Sequence, residues 1–238
     1  MAVIDFHSHI LPGIDDGSKS ADMSAEMLHM AGSQGVDVMI ATPHFYASRQ
    51  SVDTFLERRN RAFESLKSRM KDLEKPPQVL PGAEVAFFPG ISGAERVDDL
   101  AVAGTKVLLL EMPFVSWSDR DIHEVEELVM ARHCKVILVH LERYMKISGN
   151  RRKIEALFHM PLYVQINAES LLNWLGRRPL IKMFENSQAH FLGSDCHGID
   201  KRKPNLFYGR QVLEKKLGKD FLYKMDERGS RLLRLEGE

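Results

Sequence analysis

Two histidines one residue apart, His7 and His9, are the first residues of the chain whose types and spacing could do chemistry. On an extended strand, side chains two apart point to the same face, so both imidazoles can grip one ion. Asp195 and His197 repeat that arrangement late in the chain. His44, Glu84, Glu111 and His140 each close a short apolar run, and Asp16 lies in the loop after the first pair. Imidazole nitrogens and carboxylate oxygens without thiolates favour borderline or hard divalent ions such as Mn, Fe or Zn over a Cys-rich structural site. A single polar residue at a strand end is ordinarily a surface or hydrogen-bonded group. Nine such residues converging on one mouth would be a metal centre. His29, His123, His133, His159 and His190 fall in expected helices or away from strand ends, and are not assigned as ligands.

Charge counting indicates what such a centre could take. Asp16, Glu84, Glu111 and Asp195 supply four negative charges when ionised, against six positive charges for three divalent ions. A bridging hydroxide and an anionic substrate fit that excess. Two or three ions would acidify a bound water and clamp phosphoryl oxygens during in-line displacement, so hydrolysis of a phosphate ester is the natural chemistry. Arg143 follows His140 by three residues and Arg202 follows His197 by five, so both can reach the mouth and fork onto phosphate oxygens. Either could equally be an ordinary surface arginine.

These residues need a frame that brings them together. Seven apolar, β-branched runs at 3–7, 36–42, 78–84, 106–111, 135–140, 162–167 and 189–194 alternate with longer amphipathic stretches, the pattern of βα units. Nearly continuous runs such as Val107-Leu108-Leu109-Leu110 and Val136-Ile137-Leu138-Val139 suit a parallel sheet covered on both faces. The expected fold is a closed α/β barrel, whose functional groups sit at the C-terminal ends of the strands. Met23, Met27, Met30 and Ala31 after Ser20, and Val52, Phe55, Leu56, Phe63, Leu66, Met70 and Leu73 after Ser51, recur at helical spacing and read as core. The segment from Lys203 onward reads as helical and charged, with Arg231, Arg234, Glu236 and Glu238 marking a solvated, fraying end.

The 238 residues suit one domain spanning 1–238, and 44% apolar with 28% charged residues is the balance of an ordinary globular protein. A net charge of zero leaves no global field of the kind that draws a protein to nucleic acid or to anionic membrane. No apolar run approaches the roughly 20 residues of a membrane span, and no leader with a basic n-region follows Met1, so a cytoplasmic location is expected. Cys134 and Cys196, without CxxC spacing, agree with a reducing compartment.

At the level of whole motifs the sequence becomes more specific. The opening Ile4-Asp5-Phe6-His7-Ser8-His9-Ile10-Leu11-Pro12-Gly13-Ile14-Asp15-Asp16-Gly17-Ser18-Lys19-Ser20 resembles that of the polymerase and histidinol phosphatase (PHP) superfamily. Ala41-Thr42-Pro43-His44, Pro81-Gly82-Ala83-Glu84-Val85, Leu110-Glu111-Met112-Pro113, Val139-His140-Leu141-Glu142-Arg143-Tyr144, Gln165-Ile166-Asn167-Ala168 and Gly193-Ser194-Asp195-Cys196-His197 are similar, in order, to the bacterial CpsB-type protein-tyrosine phosphatases. The resemblance runs from residue 4 to about residue 205. It implies a distorted (β/α)7 barrel of the TIM-barrel-like PHP fold, a multinuclear site usually described with manganese, and dephosphorylation of a tyrosine-phosphorylated protein. In that branch the substrate is typically the tail of a bacterial tyrosine kinase controlling capsule or exopolysaccharide synthesis. Carried over residue by residue, the metal ligands would be His7, His9, Asp16, His44, Glu84, Glu111, His140, Asp195 and His197, with Arg143 and Arg202 on the phosphate. Glu169 stands where the family pattern has a small residue, so the rim near the sixth strand is expected to differ in shape or charge.

Three other readings compete. Cys196 and Arg202 have the spacing of a cysteine-dependent tyrosine phosphatase, although the intervening segment carries Asp200, a carboxylate unsuited to a phosphate-cradling loop. A small phosphomonoester, as in histidinol phosphatases, would keep the chemistry and change the substrate. A noncatalytic metal-binding or kinase-docking module would use the same residues without turnover, but structural metal sites are typically closed by four ligands and need no charge excess.

Overall fold

The computed structural model describes residues 1–235. Its strands are β1 (Ile4–Ser8), β2 (Val38–Ala41), β3 (His44–Phe45), β4 (Gln78–Pro81), β5 (Glu84–Ala86), β6 (Val107–Glu111), β7 (Lys135–Leu138), β8 (Tyr163–Asn167) and β9 (Phe191–Gly193). Its α-helices are α1 (Ala21–Ser33), α2 (Val52–Met70), α3 (Asp119–Met130), α4 (Asn150–Leu157), α5 (Arg177–Glu185), α6 (Leu206–Leu217) and α7 (Lys219–Leu232). All the ladders are parallel, in the orders β1-β2-β4 and β3-β5-β6-β7-β8-β9.

The seven expected strands are therefore seven staves, two of them broken. β2 and β3 form one stave interrupted at Thr42-Pro43, and β4 and β5 form the next, interrupted at Gly82-Ala83. Pro43 has no N–H to give a ladder, and its carbonyl instead accepts from Glu84 N at 3.0 Å, while Gly82 N donates to Ala41 O at 2.8 Å. Both staves bend at the same level. His44 and Glu84 consequently begin the short continuations β3 and β5 instead of ending β2 and β4, which corrects the expected placement. The ring closes at its mouth, where Ser8 bridges Cys196, Asp195 N donates to His7 O at 2.8 Å and His9 N donates to Cys196 O at 2.9 Å. The fold is a distorted α/β barrel.

The helices start where the sequence provides caps. Ser20 accepts from Met23 N and Ser51 from Thr54 N, each satisfying a first-turn amide that has no helical partner. Met27 and Ala31 of α1 and Phe55 and Leu66 of α2 are buried, as the helical spacing predicts, and Leu28 and Ala62 join them; Met23, Met30, Val52, Leu56, Phe63, Met70 and Leu73 pack less completely. The C-terminal segment is two helices, broken at Gly218, whose φ of 89° suits glycine. The expected fraying is not found through Leu235: Leu233 is buried, and a Cβ on Gly229 would come within 3.0 Å of Ile4 and Phe6, so α7 lies close against β1. Arg231 and Arg234 are exposed, and Glu236 and Glu238 lie outside the described residues.

Candidate metal centre at the barrel mouth

The staves deliver all nine candidate side chains to one place. His7 ends up inside the barrel from β1 and His9 just beyond it; His44 and Glu84 come from the bent continuations, and Glu111 from the last position of β6. His140 and Asp195 sit two residues past β7 and β9, in left-handed backbone at φ 36° and 51°, and Arg202 shares that conformation at 49°. Non-glycine residues pay strain there, which the surrounding packing must hold in place.

Four overlapping groups have ligand atoms within 4.8 Å of one another: His9, Asp16, His44 and His197; His7, Glu84 and His140; His7, His9 and Asp195; and His44, Glu84 and Glu111. Glu84 is the hub, with Oε2 at 3.3 Å from His7 Nε2 and 3.2 Å from His9 Nε2, and Oε1 at 2.8 Å from His140 Nε2. Asp195 Oδ1 lies 3.8 Å from His7 Nε2 and 3.6 Å from His9 Nε2. Asp16, largely exposed, approaches His44 Nε2 and His197 Nε2 at 3.5 Å each. His29, His123, His133, His159 and His190 join none of these groups.

The donor set fits divalent ions. Bonds of about 2.0–2.1 Å in tetrahedral geometry place neighbouring ligand atoms about 3.3 Å apart, the spacing seen between these nitrogens and oxygens. Glu84 Oε2, His140 Nδ1 and His197 Nε2 are buried without hydrogen-bond partners, an arrangement that costs free energy unless something else satisfies them. His7 Nε2 and His9 Nε2 face each other at 3.1 Å, so both cannot carry a proton there. The charges are equally crowded. Glu111 is pushed up to about 7, first by burial and then by neighbouring Glu84. Burial would lower His9, but the nearby Asp15 and Glu84 carboxylates overcome it and hold the imidazole near 10. Burial takes His140 and His197 down to about 4. Burial would raise Asp195, yet His7, His9, Arg143 and Arg202 keep it well below the usual carboxylate range.

Several positioning residues escaped sequence reasoning. Asp15 Oδ2 lies 2.8 Å from His9 Nδ1 and accepts from His44 N at 3.1 Å. Gln165 Oε1 accepts from His140 N at 2.8 Å and faces His7 Nδ1 at 3.3 Å, while Asn167 donates to Asp195 Oδ2 at 2.9 Å. Gln165 and Asn167 are two apart on β8 and share its inner face, a period-two signal present in the sequence but lacking the His or acid character that marks a ligand. Asp5 accepts from His7 N at 3.3 Å and Ser194 N at 2.8 Å, tying β1 to β9 beneath the site.

Arg143 and Arg202 stand on the solvent side, both paired with Asp195, Arg202 at 2.7 Å. The rim beside them carries Phe114, 53% exposed, with its ring stacked 5.9 Å from His140. Glu169, on the same side of the barrel after β8, is exposed as a rim residue should be. Cys196 is fully buried and its thiol is pushed up, first by burial and then by Asp5, so a nucleophilic thiolate is disfavoured and the Cys196–Arg202 spacing is coincidental.

Fold and site together define a barrel hydrolase of the metal-dependent type. The family description "Capsular polysaccharide synthesis, CpsB/CapC" matches residues 3–231. The chain belongs to this CpsB/CapC family. It is 29% identical over 239 residues to the tyrosine-protein phosphatase YwqE of Bacillus subtilis, covering 98% of this chain and 92% of that protein. It is 25% identical to the tyrosine-protein phosphatase CpsB of Streptococcus agalactiae, covering 92% of each. Among solved structures, it matches one described under YwqE from Bacillus subtilis and CpsB from Streptococcus pneumoniae, "unique metal-dependent tyrosine phosphatases", with a TM-score of 0.85 and 27% identity over 99% of this chain and 96% of that one. Among the described residues, no helix is long and apolar enough to cross a membrane.

Proposed function

We propose that this chain hydrolyses phosphotyrosine in a protein, with two or three divalent ions, manganese foremost, held by His7, His9, Asp16, His44, Glu84, Glu111, His140, Asp195 and His197, and with residues 1–238 acting as one domain. The enzyme is a metal-dependent tyrosine phosphatase, a phosphoric monoester hydrolase. The observation that carries the reading is the meeting of nine nitrogen and oxygen side chains at one mouth with two guanidiniums on their solvent side. Divalent ions bound there supply a water acidified toward hydroxide and neutralise phosphoryl oxygens. The chain's residues hold the geometry. Asp15 orients His9, and Gln165 orients His7 and the His140 backbone. Arg143 and Arg202 each retain N–H groups beyond those used on Asp195, and these fork onto the incoming phosphate. Phe114 offers the substrate ring an apolar edge. The substrate is a tyrosine-phosphorylated protein, a bacterial tyrosine kinase in our reading, and the setting is cytoplasmic control of capsule or exopolysaccharide synthesis.

The test is turnover of p-nitrophenyl phosphate and a phosphotyrosine peptide before and after chelation, with manganese added back. Activity should vanish with the metal and return with it, and Cys196→Ser should leave it in place. Activity that survives chelation but is lost in Cys196→Ser would overturn the reading. Histidinol phosphate and single-stranded DNA, run beside the peptide, should be poor substrates. Fully metallated protein that binds a kinase tail yet turns over nothing would instead be a docking module.

A further inference from the structure

A cleft of about 500 Å3 opens beside the metal centre, on the flank of Asp16 and His44, with Tyr46, Arg49, Gln50 and Arg58 forming its outer walls. Its two guanidiniums are free of acidic partners. Arg58 is pinned by neutral groups, donating from Nη1 to Gln50 Oε1 at 2.9 Å and from Nη2 to Ile14 O at 2.8 Å. Arg49 stands over the Tyr46 ring, its guanidinium carbon 4.4 Å from the centroid. Among the described residues neither has a carboxylate oxygen within the 4.0 Å of an ion pair. The carboxylates that also line the cleft have imidazole partners: Asp15 lies 2.8 Å from His9 Nδ1, and the largely exposed Asp16 lies 3.5 Å from His44 and His197.

We infer that this cleft is a specificity subsite for an anionic side chain flanking the phosphotyrosine, a carboxylate or a second phosphate, with Arg49 as its principal contact. The inference rests on the phosphatase reading and names the substrate class that the site admits. Distance supports it. The Tyr46 ring is 5.3 Å from the His44 ring and the Arg49 guanidinium carbon is 4.4 Å from the Tyr46 centroid, so the guanidinium lies within the sum of those two distances from His44. An extended peptide advances about 3.3–3.6 Å per residue, so a side chain one to three positions from a phosphotyrosine seated at the centre reaches Arg49. The cation–π contact also matters. A guanidinium held over an aromatic ring, with no carboxylate on it, has N–H groups left for contact with a carboxylate or phosphate. Arg58, held by Gln50 and the Ile14 carbonyl, lines the same cleft and adds positive potential to it.

The experiment uses the full chain loaded with manganese and phosphotyrosine peptides that differ only in the flanking residue: glutamate, glutamine, lysine or a second phosphotyrosine. The anionic peptides should show a KM about fivefold below that of the glutamine peptide, with kcat little changed. Arg49→Ala should erase that ratio, and Arg49→Glu should invert it in favour of lysine. Preference for the doubly phosphorylated peptide would assign the subsite to phosphate, and preference for the glutamate peptide to carboxylate. p-Nitrophenyl phosphate, which has no flank, reports whether the centre of each variant is working. Wild-type protein that turns over all four peptides with one KM, or an Arg49→Ala variant that keeps the wild-type ratio, overturns the inference. Failure to hydrolyse any peptide or p-nitrophenyl phosphate removes the phosphatase reading itself, which separates the two failures.

Discussion

Replacing Gln165 with methionine should weaken metal binding although Gln165 is not among the nine ligand candidates. The side chain is fully buried; Oε1 takes the His140 N–H at 2.8 Å and faces His7 Nδ1 at 3.3 Å, and Nε2 donates to Asn167 Oδ1 at 2.9 Å. An acceptor at Nδ1 fixes the His7 proton there and leaves Nε2 free toward Glu84 and Asp195. Methionine keeps the length and flexibility but not the acceptor. Two effects follow. The His140 N–H is left buried and unpaired, costing about 1–3 kcal/mol of stability. The loss of an outer-shell partner costs about 10–100-fold in metal affinity, or roughly 1.4–2.7 kcal/mol at 1.36 kcal/mol per factor of ten. Chelator-buffered manganese titrations of p-nitrophenyl phosphate turnover should show the half-maximal metal concentration rising by that factor, with kcat largely recovered at saturation. Urea unfolding should report the stability loss. A destabilised variant with an unchanged manganese requirement would refute the orienting role and leave Gln165 as a purely structural residue.

Gly193→Ala should act on the same pair of side chains from β9. A Cβ there would lie 2.6 Å from His7 Cβ and 2.8 Å from Gln165 Nε2; urea unfolding should show a loss of about 1–3 kcal/mol, and no loss would mean the staves yield more easily than their ladders imply. Arg143→Ala and Arg202→Ala should each lower kcat/KM for p-nitrophenyl phosphate by about 100-fold at saturating metal; wild-type kinetics in either would remove that arginine from phosphate binding. His190 supplies a pH prediction. Burial, with Arg228 second, takes it from 6.5 down to about 4, and its Nδ1 accepts from Val164 N at 3.1 Å. Between those values the unfolded chain binds the proton more tightly than the folded one, so stability is lost as pH falls from about 6.5 toward 4. His190→Asn, which keeps an acceptor without titrating, should flatten the unfolding midpoint across that window; an unaltered slope would place the pH dependence elsewhere.

Much of the candidate site was legible in the sequence because the side chains able to ligate a metal are a short list of residue types. His7 and His9, like Asp195 and His197, announce themselves by chemistry and by a spacing of two. The apolar runs of β6 and β7 declared buried parallel strands for a similar reason, since a strand covered on both faces has no polar alternation. The positioning residues were not legible. Gln165, Asn167 and Asp15 are ordinary polar residues whose role exists only once a partner 2.8–3.3 Å away is known. Arg143 and Arg202 could not be placed by sequence for the same reason; the structure sets both against Asp195.

The sequence by itself determined the alternation of strands and helices and the nine metal-type side chains, because composition and periodicity are local properties. Only the tertiary structure decided where those side chains meet. The matched breaks at Pro43 and Gly82 carry His44 and Glu84 past the bend, and the closure of β9 onto β1 places Asp195 against His7 and His9. It also set Arg49 over Tyr46 in a cleft beside the centre. Contacts between residues 188 positions apart, such as His7 with Asp195, depend on how the whole barrel closes, which no local pattern encodes.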